Sequence, residues 1–380
     1  MKTIPALQFD KESDGWEKSR GFFMREVPIP QLEDKNPADA VSVILKIKYA
    51  GVCGSDRGIF HRASFKDLIH NSLAKEGKTA RILGHEFFGE IIEVGPEVNE
   101  LYGLKPGDRV SGDSHITCGK CYQCRIGENN VCTNEQILGI SIDGIFSEYV
   151  KIPAKNLWKI NESLVRPEIA AIYDPMGNAM HAVSKTDVKG KTIAVLGCGP
   201  IGLFSIVFLK SFGASEIIAV DIESGNLKMA SALGARRTIQ VLGGDNDGVV
   251  QKIVELTGGV GADVSMEMAG PNSSVINAIG ATRRGGNVIL FGLKDGDFTI
   301  PKFSTVITKG LTLHGVIGRR IFETWSVLDR VISDKSNGVG EKIFNVILKR
   351  GEGTIIPFSK FENGDFEKSM DENPKIIFRF

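Results

Sequence analysis

The stretch KTIAVLGCGPIGLFSIVFL, residues 191–209, constrains the fold more than any other part of the 380-residue sequence. The apolar run TIAVL is typical of a buried strand, G-x-G-x-x-G follows it directly, and an apolar helical segment begins at once. A strand, a glycine turn and a helix in this order predict a dinucleotide-binding α/β fold when an acidic residue follows about twenty residues later. Asp221, at the end of SEIIAVD, meets that condition.

Each residue type of this motif has a chemical reason. The first glycine permits a tight turn, the second lets the backbone approach a pyrophosphate, and the third packs the helix against the strand. The helix N-terminus offers free N–H groups to phosphates. Asp221 is expected to accept hydrogen bonds from the adenosine ribose and to repel a 2′-phosphate, which predicts NAD rather than NADP. The predicted cofactor-binding residues are Gly197, Gly199, Pro200, Ile201, Gly202, Asp221 and Gly292.

Hydropathy alone would allow residues 192–209 to be a transmembrane segment, but the glycine turn in their middle favours a strand followed by a helix. Further short apolar runs alternate with helical segments as far as about residue 318, which predicts a doubly wound parallel sheet. The first half is different, because runs such as VSVILKIKYA and FSEYVKIP, bounded by Gly, Pro and Asn, predict a β-rich domain. RRIFETWSVLDRVISD, after Gly318, predicts an amphipathic helix.

Charge and leader signals exclude several kinds of partner. The 46 basic residues balance 46 acidic ones, so no charge excess favours nucleic acid or an anionic membrane. The beginning, MKTIPALQFDKESDGW, lacks the apolar segment of a secretion signal. We therefore expect a cytoplasmic protein that acts on a small molecule.

Four of the six cysteines lie within fifteen residues, in CGKCYQCRIGENNVC. Without a secretion signal, such clustering indicates metal rather than disulfides. Four thiolates suit tetrahedral zinc, and a closed sulfur shell leaves no position for substrate, so we predict a structural zinc site. An iron–sulfur cluster is the chemical alternative, although the spacing does not match the ferredoxin patterns. The predicted ligands are Cys118, Cys121, Cys124 and Cys132.

The order VCGSD, GHEFFGEIIEVG, the four-cysteine segment, DPMGNAMH and GCGPIG resembles the zinc-dependent medium-chain alcohol dehydrogenase superfamily over nearly the whole chain. HITCGKCYQC, YDPMGNA and GVIGRRIFETW are most similar to threonine dehydrogenases, and sorbitol-type polyol dehydrogenases share several of these segments. The resemblance implies a GroES-like catalytic domain, residues 1–175 and 319–380, interrupted by a Rossmann domain, residues 176–318. It places the active site in the cleft between the domains.

The resemblance also implies a second, catalytic zinc. Its matching ligands are Cys53, His85 and Asp174, with Glu86 as an occasional ligand, and the fourth position is open to water or substrate. By itself, His85 would more often be a hydrogen-bonded core histidine. Two zinc ions per chain are therefore expected, although another divalent metal could replace zinc at the mixed site.

The implied reaction transfers a hydride from a secondary alcohol to NAD. Ser55 matches the hydroxyl that takes the substrate proton, and Asp56 would support the metal ligands. Relatives carry a histidine three residues after that serine, where this chain has Gly58. We interpret His61 as a substitute proton relay. A water chain, with His61 as an ordinary surface residue, is the alternative.

Residues 61–81 form a longer segment between Cys53 and His85 than threonine dehydrogenases have. SFKDLIHNSLAKEG predicts a helix with Ser64 as a possible cap and with Leu68 and Leu73 on one side. The segment would cover the active site or contact a neighbouring subunit. A basic set near it is either a binding site for an acidic substrate or a solvated face; the set is Arg57, Arg62 and Lys66.

The leading functional hypothesis is an NAD- and zinc-dependent dehydrogenase with L-threonine as the best single substrate. A polyol, sugar or cyclitol dehydrogenase of the same superfamily is the alternative, favoured by Gly58 and the longer segment. The retained Cys53, His85 and Asp174, together with Ser55, disfavour a non-catalytic NAD-binding protein and a zinc-free quinone reductase relative. The resemblance suggests a homotetramer, with a dimer as the alternative.

Overall fold

The computed structural model describes residues 2–13, 15–17, 19–242, 246–293 and 296–380. The described chain divides into two compact units. The first consists of Met1–Pro175, Arg320–Trp325 and Leu348–Phe380, and the second of Met176–Arg319 and Ser326–Ile347. In the described part, no helix is long and apolar enough to cross a membrane.

Strands dominate the first unit. They are β1 (Thr3–Asp10), β2 (Phe23–Pro28), β3 (Ser42–Gly51), β4 (Ala80–Ile82), β5 (Glu86–Val94), β6 (Arg109–Gly112), β7 (His115–Ile116), β8 (Gln136–Ile137), β9 (Tyr149–Pro153) and β10 (Leu157–Lys159). Short helices connect them: α1 (Gly54–Phe60), α2 (Lys66–Glu76), α3 (Val98–Tyr102), α4 (Tyr122–Arg125) and α5 (Pro167–Ala170). A longer helix, α6 (Tyr173–Val183), crosses the boundary between the units.

Alternating strands and helices build the second unit. The strands are β11 (Thr192–Leu196), β12 (Glu216–Asp221), β13 (Arg237–Gln240), β14 (Ala262–Glu267), β15 (Thr282–Leu290) and β16 (Thr312–Gly315). The helices are α7 (Pro200–Ser211), α8 (Ser224–Leu233), α9 (Asn246–Leu256), α10 (Asn272–Ala281), α11 (Ser304–Thr308), α12 (Glu323–Ser333) and α13 (Val339–Lys342). The chain ends with β17 (Ile355–Pro357), α14 (Asn363–Glu372) and β18 (Ile377–Arg379), all in the first unit.

The main sheet of the first unit has the order β10-β6-β5-β3-β18-β17, with β9 also paired to β3. Side chains such as Val43, Leu45 and Ile47 alternate into a core that also contains Phe87 and Phe378. A smaller sheet has the order β2-β1-β4, and β7 pairs with β8. This is the β-rich GroES-like domain expected from the sequence, with β18 from the C-terminal part of the chain inserted beside β3.

All five pairings in the sheet of the second unit are parallel, and the strand order is β13-β12-β11-β14-β15-β16. The order reverses direction at β11 and β14, which is the topological switch point where doubly wound sheets bind ligands. Ala194, Leu196, Ile218 and Val288 are buried in its core. The expected Rossmann fold is confirmed.

One expected boundary differs from the division of the structure into units. Residues 326–347 were assigned to the catalytic domain, but they belong to the second unit. Helix α13 and the π-helical turn Ile343–Ile347 pack on α7 and α8 of the Rossmann fold. The apolar face of this segment, with Leu328, Ile332 and Ile347 buried, therefore completes the parallel-sheet unit.

Helix α2 also differs from the expectation in detail. It begins at Lys66, its N-cap is Phe65 with φ 69°, and Ser64 makes no capping hydrogen bond there. Leu68 is exposed, whereas Ile69 and Leu73 are fully buried. Ile69 and Leu73 are four residues apart and share one helix face, which Leu68 and Leu73 do not.

Candidate active site

Strand pairing brings the candidate catalytic ligands to one end of the main sheet. Gly51 at the end of β3 lies opposite Glu86 at the start of β5 in the antiparallel register. Cys53 therefore follows β3 at the same edge where His85 precedes β5. Gly84 makes the approach possible, because its φ is +83° and a Cβ there would lie 2.3 Å from the Phe146 ring.

The ligand atoms of Cys53, His85 and Glu86 all lie within 4.8 Å of one another. Asp174 is not part of this group. Its Oδ2 accepts a hydrogen bond from the Ser114 N–H at 3.0 Å, and its charge raises the pKa of both His85 and Glu86. Its role as a zinc ligand therefore stays a prediction from the family resemblance.

Asp56 anchors the loop that carries Cys53. The side chain of Asp56 is completely buried, and its Oδ2 accepts from the Cys53 N–H at 2.8 Å in a capping arrangement at the start of α1. Its Oδ1 lies 4.0 Å from Nδ1 of His85. Burial acts to lower the pKa of His85, but the charges of Asp56 and Cys53 outweigh burial and raise that pKa to about 10. The pocket is strongly electronegative and suits a cation.

Glu86 is fully buried and has a buried cation as its partner. Lys375 Nζ donates to Glu86 Oε2 and also to the Val52 carbonyl at 2.7 Å. Burial raises the pKa of Glu86, and the Lys375 charge opposes that rise. Within the described part of the chain, Glu86 Oε1 has no hydrogen-bond partner.

These features fit a divalent metal ion. A thiol, an imidazole and a carboxylate converge, and a buried carboxylate oxygen without a partner faces a large desolvation cost unless a cation or donor meets it. Mixed Cys, His and carboxylate ligation is typical of catalytic zinc, which keeps one position open.

The two candidate proton-handling residues lie differently. Ser55 Oγ is 3.4 Å from His85 Nε2, so it is at the metal-binding group. His61, at the C-terminal end of α1, packs edge-on against Phe60, and its Nδ1 lies 3.8 Å from Glu367 Oε1. Among the described contacts, none joins His61 to Ser55, so its relay role stays a prediction.

The four clustered cysteines form a second group. Their sulfur atoms lie within 4.8 Å of one another, and none is in a disulfide. Backbone N–H groups of Cys118, Cys121 and Asn134 donate to sulfur atoms of the group at 3.3–3.4 Å. A backbone N–H bond lowers the pKa of Cys121 to about 6, whereas burial and the neighbouring thiols raise that of Cys124 to about 12. A bound cation would balance four thiolates, so the group fits the predicted structural zinc.

The glycine turn after β11 has the geometry its motif predicts. Gly197 has φ +98°, and a Cβ there would lie 2.8 Å from Ala269. A Cβ on Gly202 would lie 2.0 Å from the Gly197 carbonyl, whereas Gly199 faces open space within 4 Å among the described atoms. Helix α7 begins at Pro200, with Ile201 next and both half-buried. The turn can therefore receive a pyrophosphate against its backbone.

Asp221 and Gly292 lie at the carboxyl ends of strands in the same parallel sheet. Asp221 Oδ2 accepts from the Cys198 N–H at 2.6 Å, so the carboxylate is fixed beside the glycine turn. Gly292 follows β15, and a Cβ there would lie 2.2 Å from the Gly270 nitrogen. These residues fit a dinucleotide with an unphosphorylated adenosine ribose.

The basic set of Arg57, Arg62 and Lys66 is engaged in contacts within the chain. Arg57 donates a hydrogen bond to the Asp371 carboxylate at 2.5 Å, and Lys66 donates one to Glu17 at 2.8 Å. Arg62 donates to the Gly21 carbonyl at 2.9 Å. The Arg62 guanidinium also lies over the rings of Phe9 and Trp16. The three basic side chains form paired surface contacts rather than a free anion site.

The sequence analysis did not single out Lys375 and Glu267, two buried charged residues that lie beside the metal-binding group and the glycine turn. Lys375 precedes the apolar run of β18 but lies far from any motif. Glu267 ends β14, and its Oε1 accepts from the Ala269 and Gly270 N–H groups at 2.8 and 2.7 Å. A charged residue directly flanking a buried strand is the only local signal that could have singled out either one.

Two family models and several named relatives match the chain. Residues 39–162 match the family described as "Alcohol dehydrogenase GroES-like domain", and residues 200–334 match "Zinc-binding dehydrogenase". The chain is 36% identical over 379 residues to L-threonine 3-dehydrogenase of Pyrococcus abyssi, covering 100% of this chain and 97% of the relative. It is 36% identical to L-threonine 3-dehydrogenase of Bacillus subtilis, covering 82% and 84%.

Solved structures show the same fold. A 2R,3R-butanediol dehydrogenase from Bacillus subtilis superposes with a TM-score of 0.80 at 25% identity, covering 99% of both chains. An alcohol dehydrogenase from Escherichia coli CFT073, solved with NADH, superposes with a TM-score of 0.78 at 25% identity, covering 100% of both chains.

Proposed function

Because this chain belongs to the zinc-dependent medium-chain alcohol dehydrogenase superfamily, we propose that it oxidises a secondary alcohol with NAD as the hydride acceptor. The observation that carries this proposal is the convergence of Cys53, His85 and Glu86 in a buried, electronegative group beside Ser55. A purely NAD-binding protein has no use for such a group.

Cys53 and His85 would hold the catalytic zinc, with Asp174 and Glu86 as the candidate carboxylate ligands. The four-cysteine group would hold the structural zinc, which gives two ions per chain. When bound, zinc supplies a Lewis acid that acidifies an alcohol, and NAD supplies the hydride acceptor. Ser55 would receive the substrate proton, and His61 is the candidate group for passing it to solvent.

The choice of NAD over NADP rests on Asp221. Its carboxylate is fixed beside the glycine turn by the Cys198 N–H. A 2′-phosphate at the same place would meet a like charge, whereas two ribose hydroxyls can donate to the carboxylate oxygens.

L-threonine is the first candidate substrate because the relatives compared above are named L-threonine 3-dehydrogenase. A neutral polyol or sugar is the second candidate. One specific observation favours it: Arg57, Arg62 and Lys66 already have partners, so this basic set is not a preformed site for a substrate carboxylate.

For assembly we propose a homo-oligomer, a tetramer or a dimer. Strand β16 forms one edge of the parallel sheet, and exposed edge strands are templates for pairing. Leu293, Phe303 and Ile307 are exposed by 81%, 53% and 70% in the same unit.

The six unpaired thiols are compatible with a reducing compartment such as the cytoplasm.

The deciding experiment measures NADH formation by zinc-loaded protein with L-threonine, sorbitol, other polyols, glucose, inositols and simple secondary alcohols. Metal analysis accompanies it. Two zinc ions per chain and NADH formation with any of these alcohols support the proposal. One zinc ion and no NADH formation would favour a non-catalytic NAD-binding protein.

A further inference from the structure

Helix α1 presents Ser55 and Gly58 on one face, since residues three apart are neighbours on a helix surface. The Ser55 hydroxyl lies at the metal-binding group, 3.4 Å from His85 Nε2. Any atoms that occupy the space beside Gly58 therefore lie about one helical turn from Ser55.

The chain turns back over this face directly after α1. Arg62 adopts φ 58°, and the Ala63 N–H donates to the Gly58 carbonyl at 2.8 Å. The Ser64 side chain is thereby packed against Gly58. A Cβ built on Gly58 would lie 2.0 Å from Ser64 Oγ and 3.3 Å from Ser64 Cβ. The hydroxyl of Ser64 occupies the place where a side chain of residue 58 would begin.

The Ser64 hydroxyl is available to a ligand. Its side chain is half-buried, and within the described residues it takes part in no hydrogen bond. A hydroxyl can donate one hydrogen bond and accept two. Neighbouring Cβ positions on one helix face are about 5–6 Å apart, which places the Ser55 and Ser64 hydroxyls within reach of two polar groups on one small molecule.

Three basic side chains lie close to Ser64 in sequence, and all three have partners. Arg57, Arg62 and Lys66 are each engaged by an acidic side chain or a backbone carbonyl. The basic set of Arg57, Arg62 and Lys66 is therefore not a preformed site for a substrate carboxylate, whereas an uncharged substrate hydroxyl would find a hydroxyl partner in Ser64.

We propose that Ser64 is a specificity-determining residue that binds a second, uncharged hydroxyl of the substrate while the first lies at Ser55. The substrate class is then a vicinal diol, as in polyols and sugars, rather than an amino acid. This inference rests on the proposed secondary-alcohol oxidation and selects among its substrates.

The test compares kcat/KM for 2,3-butanediol, 2-butanol and L-threonine in the wild type, Ser64→Ala, Ser64→Thr and the exposed control Ser19→Ala. Ser64→Ala is expected to lower kcat/KM for the diol about 3- to 10-fold, the value of one neutral hydrogen bond, with 2-butanol unchanged. Ser64→Thr keeps the hydroxyl and is expected to retain most of the diol activity. Ser19→Ala is expected to behave as the wild type.

An equal loss for the diol and 2-butanol, or no loss for the diol, would overturn the inference. So would a wild type that oxidises threonine but no diol; in that case the proposed oxidation of a secondary alcohol would still stand. If no alcohol at all yields NADH, the proposed function itself fails.

A second pair of variants tests the contact without relying on activity. Gly58→Ala is expected to lower the melting temperature, because its Cβ meets Ser64 Oγ. Adding Ser64→Gly in the same chain is expected to recover most of that loss. Equal melting temperatures for Gly58→Ala and the wild type would show that Ser64 is not packed against Gly58.

Discussion

Lys375 and Glu86 form an ion pair in which both side chains are almost completely buried, 2% and 0% exposed. The ammonium group also donates to the Val52 carbonyl, one residue before Cys53. The pair therefore joins the loop that carries one candidate metal ligand to the strand that carries another.

Replacing Lys375 by Met is expected to destabilise the protein by about 3–5 kcal/mol, because an uncompensated carboxylate is left buried. Chemical denaturation measures the change, with the exposed Lys360→Met as the control. The double variant Lys375→Met, Glu86→Gln should lose less than the sum of the two single variants. Additive losses would show that the two side chains are not coupled.

Cys118→Ser is expected to remove one of two zinc ions per chain and to lower the melting temperature. Three remaining thiolates no longer close a tetrahedral sulfur shell, while Cys53 and His85 are untouched. Metal analysis checks the count, and Cys198→Ala, outside both metal-binding groups, is the control. A full complement of two ions in Cys118→Ser would refute the assignment.

Asp221→Ser is expected to reduce the preference for NAD over NADP by about 10- to 100-fold, since a like charge opposite the 2′-phosphate is removed. Fluorescence titration of NADH and NADPH measures this without any substrate. The exposed Asp187→Asn should leave the ratio unchanged. An unaltered ratio of NADH to NADPH affinity in Asp221→Ser would mean that another group distinguishes the ribose hydroxyl from the 2′-phosphate.

His70 predicts a loss of stability in mild acid. Burial against Phe9 and Trp16, with Lys66 and Lys11 nearby, lowers its pKa in the folded protein below 6.5. The unfolded chain then binds a proton more readily, so this contribution to stability is present above pH 6.5 and is lost as the pH falls towards the folded pKa. His70→Phe should flatten the unfolding free energy between pH 7 and pH 5. An identical pH dependence in the variant would assign the loss to other groups.

His61→Ala is expected to slow NADH formation about tenfold and to change its pH profile if His61 passes the proton to solvent. An unchanged rate and profile in His61→Ala would leave the proton to a water chain.

Local patterns were sufficient for much of this fold. The strand TIAVL, the glycine turn and Asp221 have fixed spacing, so the cofactor side of the parallel sheet could be predicted residue by residue. The four-cysteine group was equally accessible, because its ligands are neighbours in sequence. By contrast, Cys53, His85 and Asp174 are far apart, and only the family resemblance connected them.

Other features depend on tertiary packing that no local pattern records. Lys375 reaches Glu86 across 289 positions of sequence. The packing of Ser64 against Gly58 depends on the left-handed turn at Arg62, a conformation that arginine does not signal. The unit to which residues 326–347 belong depends on the elements that α12 and α13 pack against. An amphipathic pattern shows that a helix has an apolar face, but it does not show which element covers that face.

The pairing of β18 with β3 has a consequence for synthesis on the ribosome. Residues 176–319 are contiguous, so the Rossmann unit has most of its sequence before translation is complete. Glu86 must wait for Lys375, and at about 5–20 residues per second that delay is about 15–60 seconds. During this interval Glu86 lacks the cation that accompanies its burial in the complete chain, and we expect chaperone binding or early metal capture to be concentrated there.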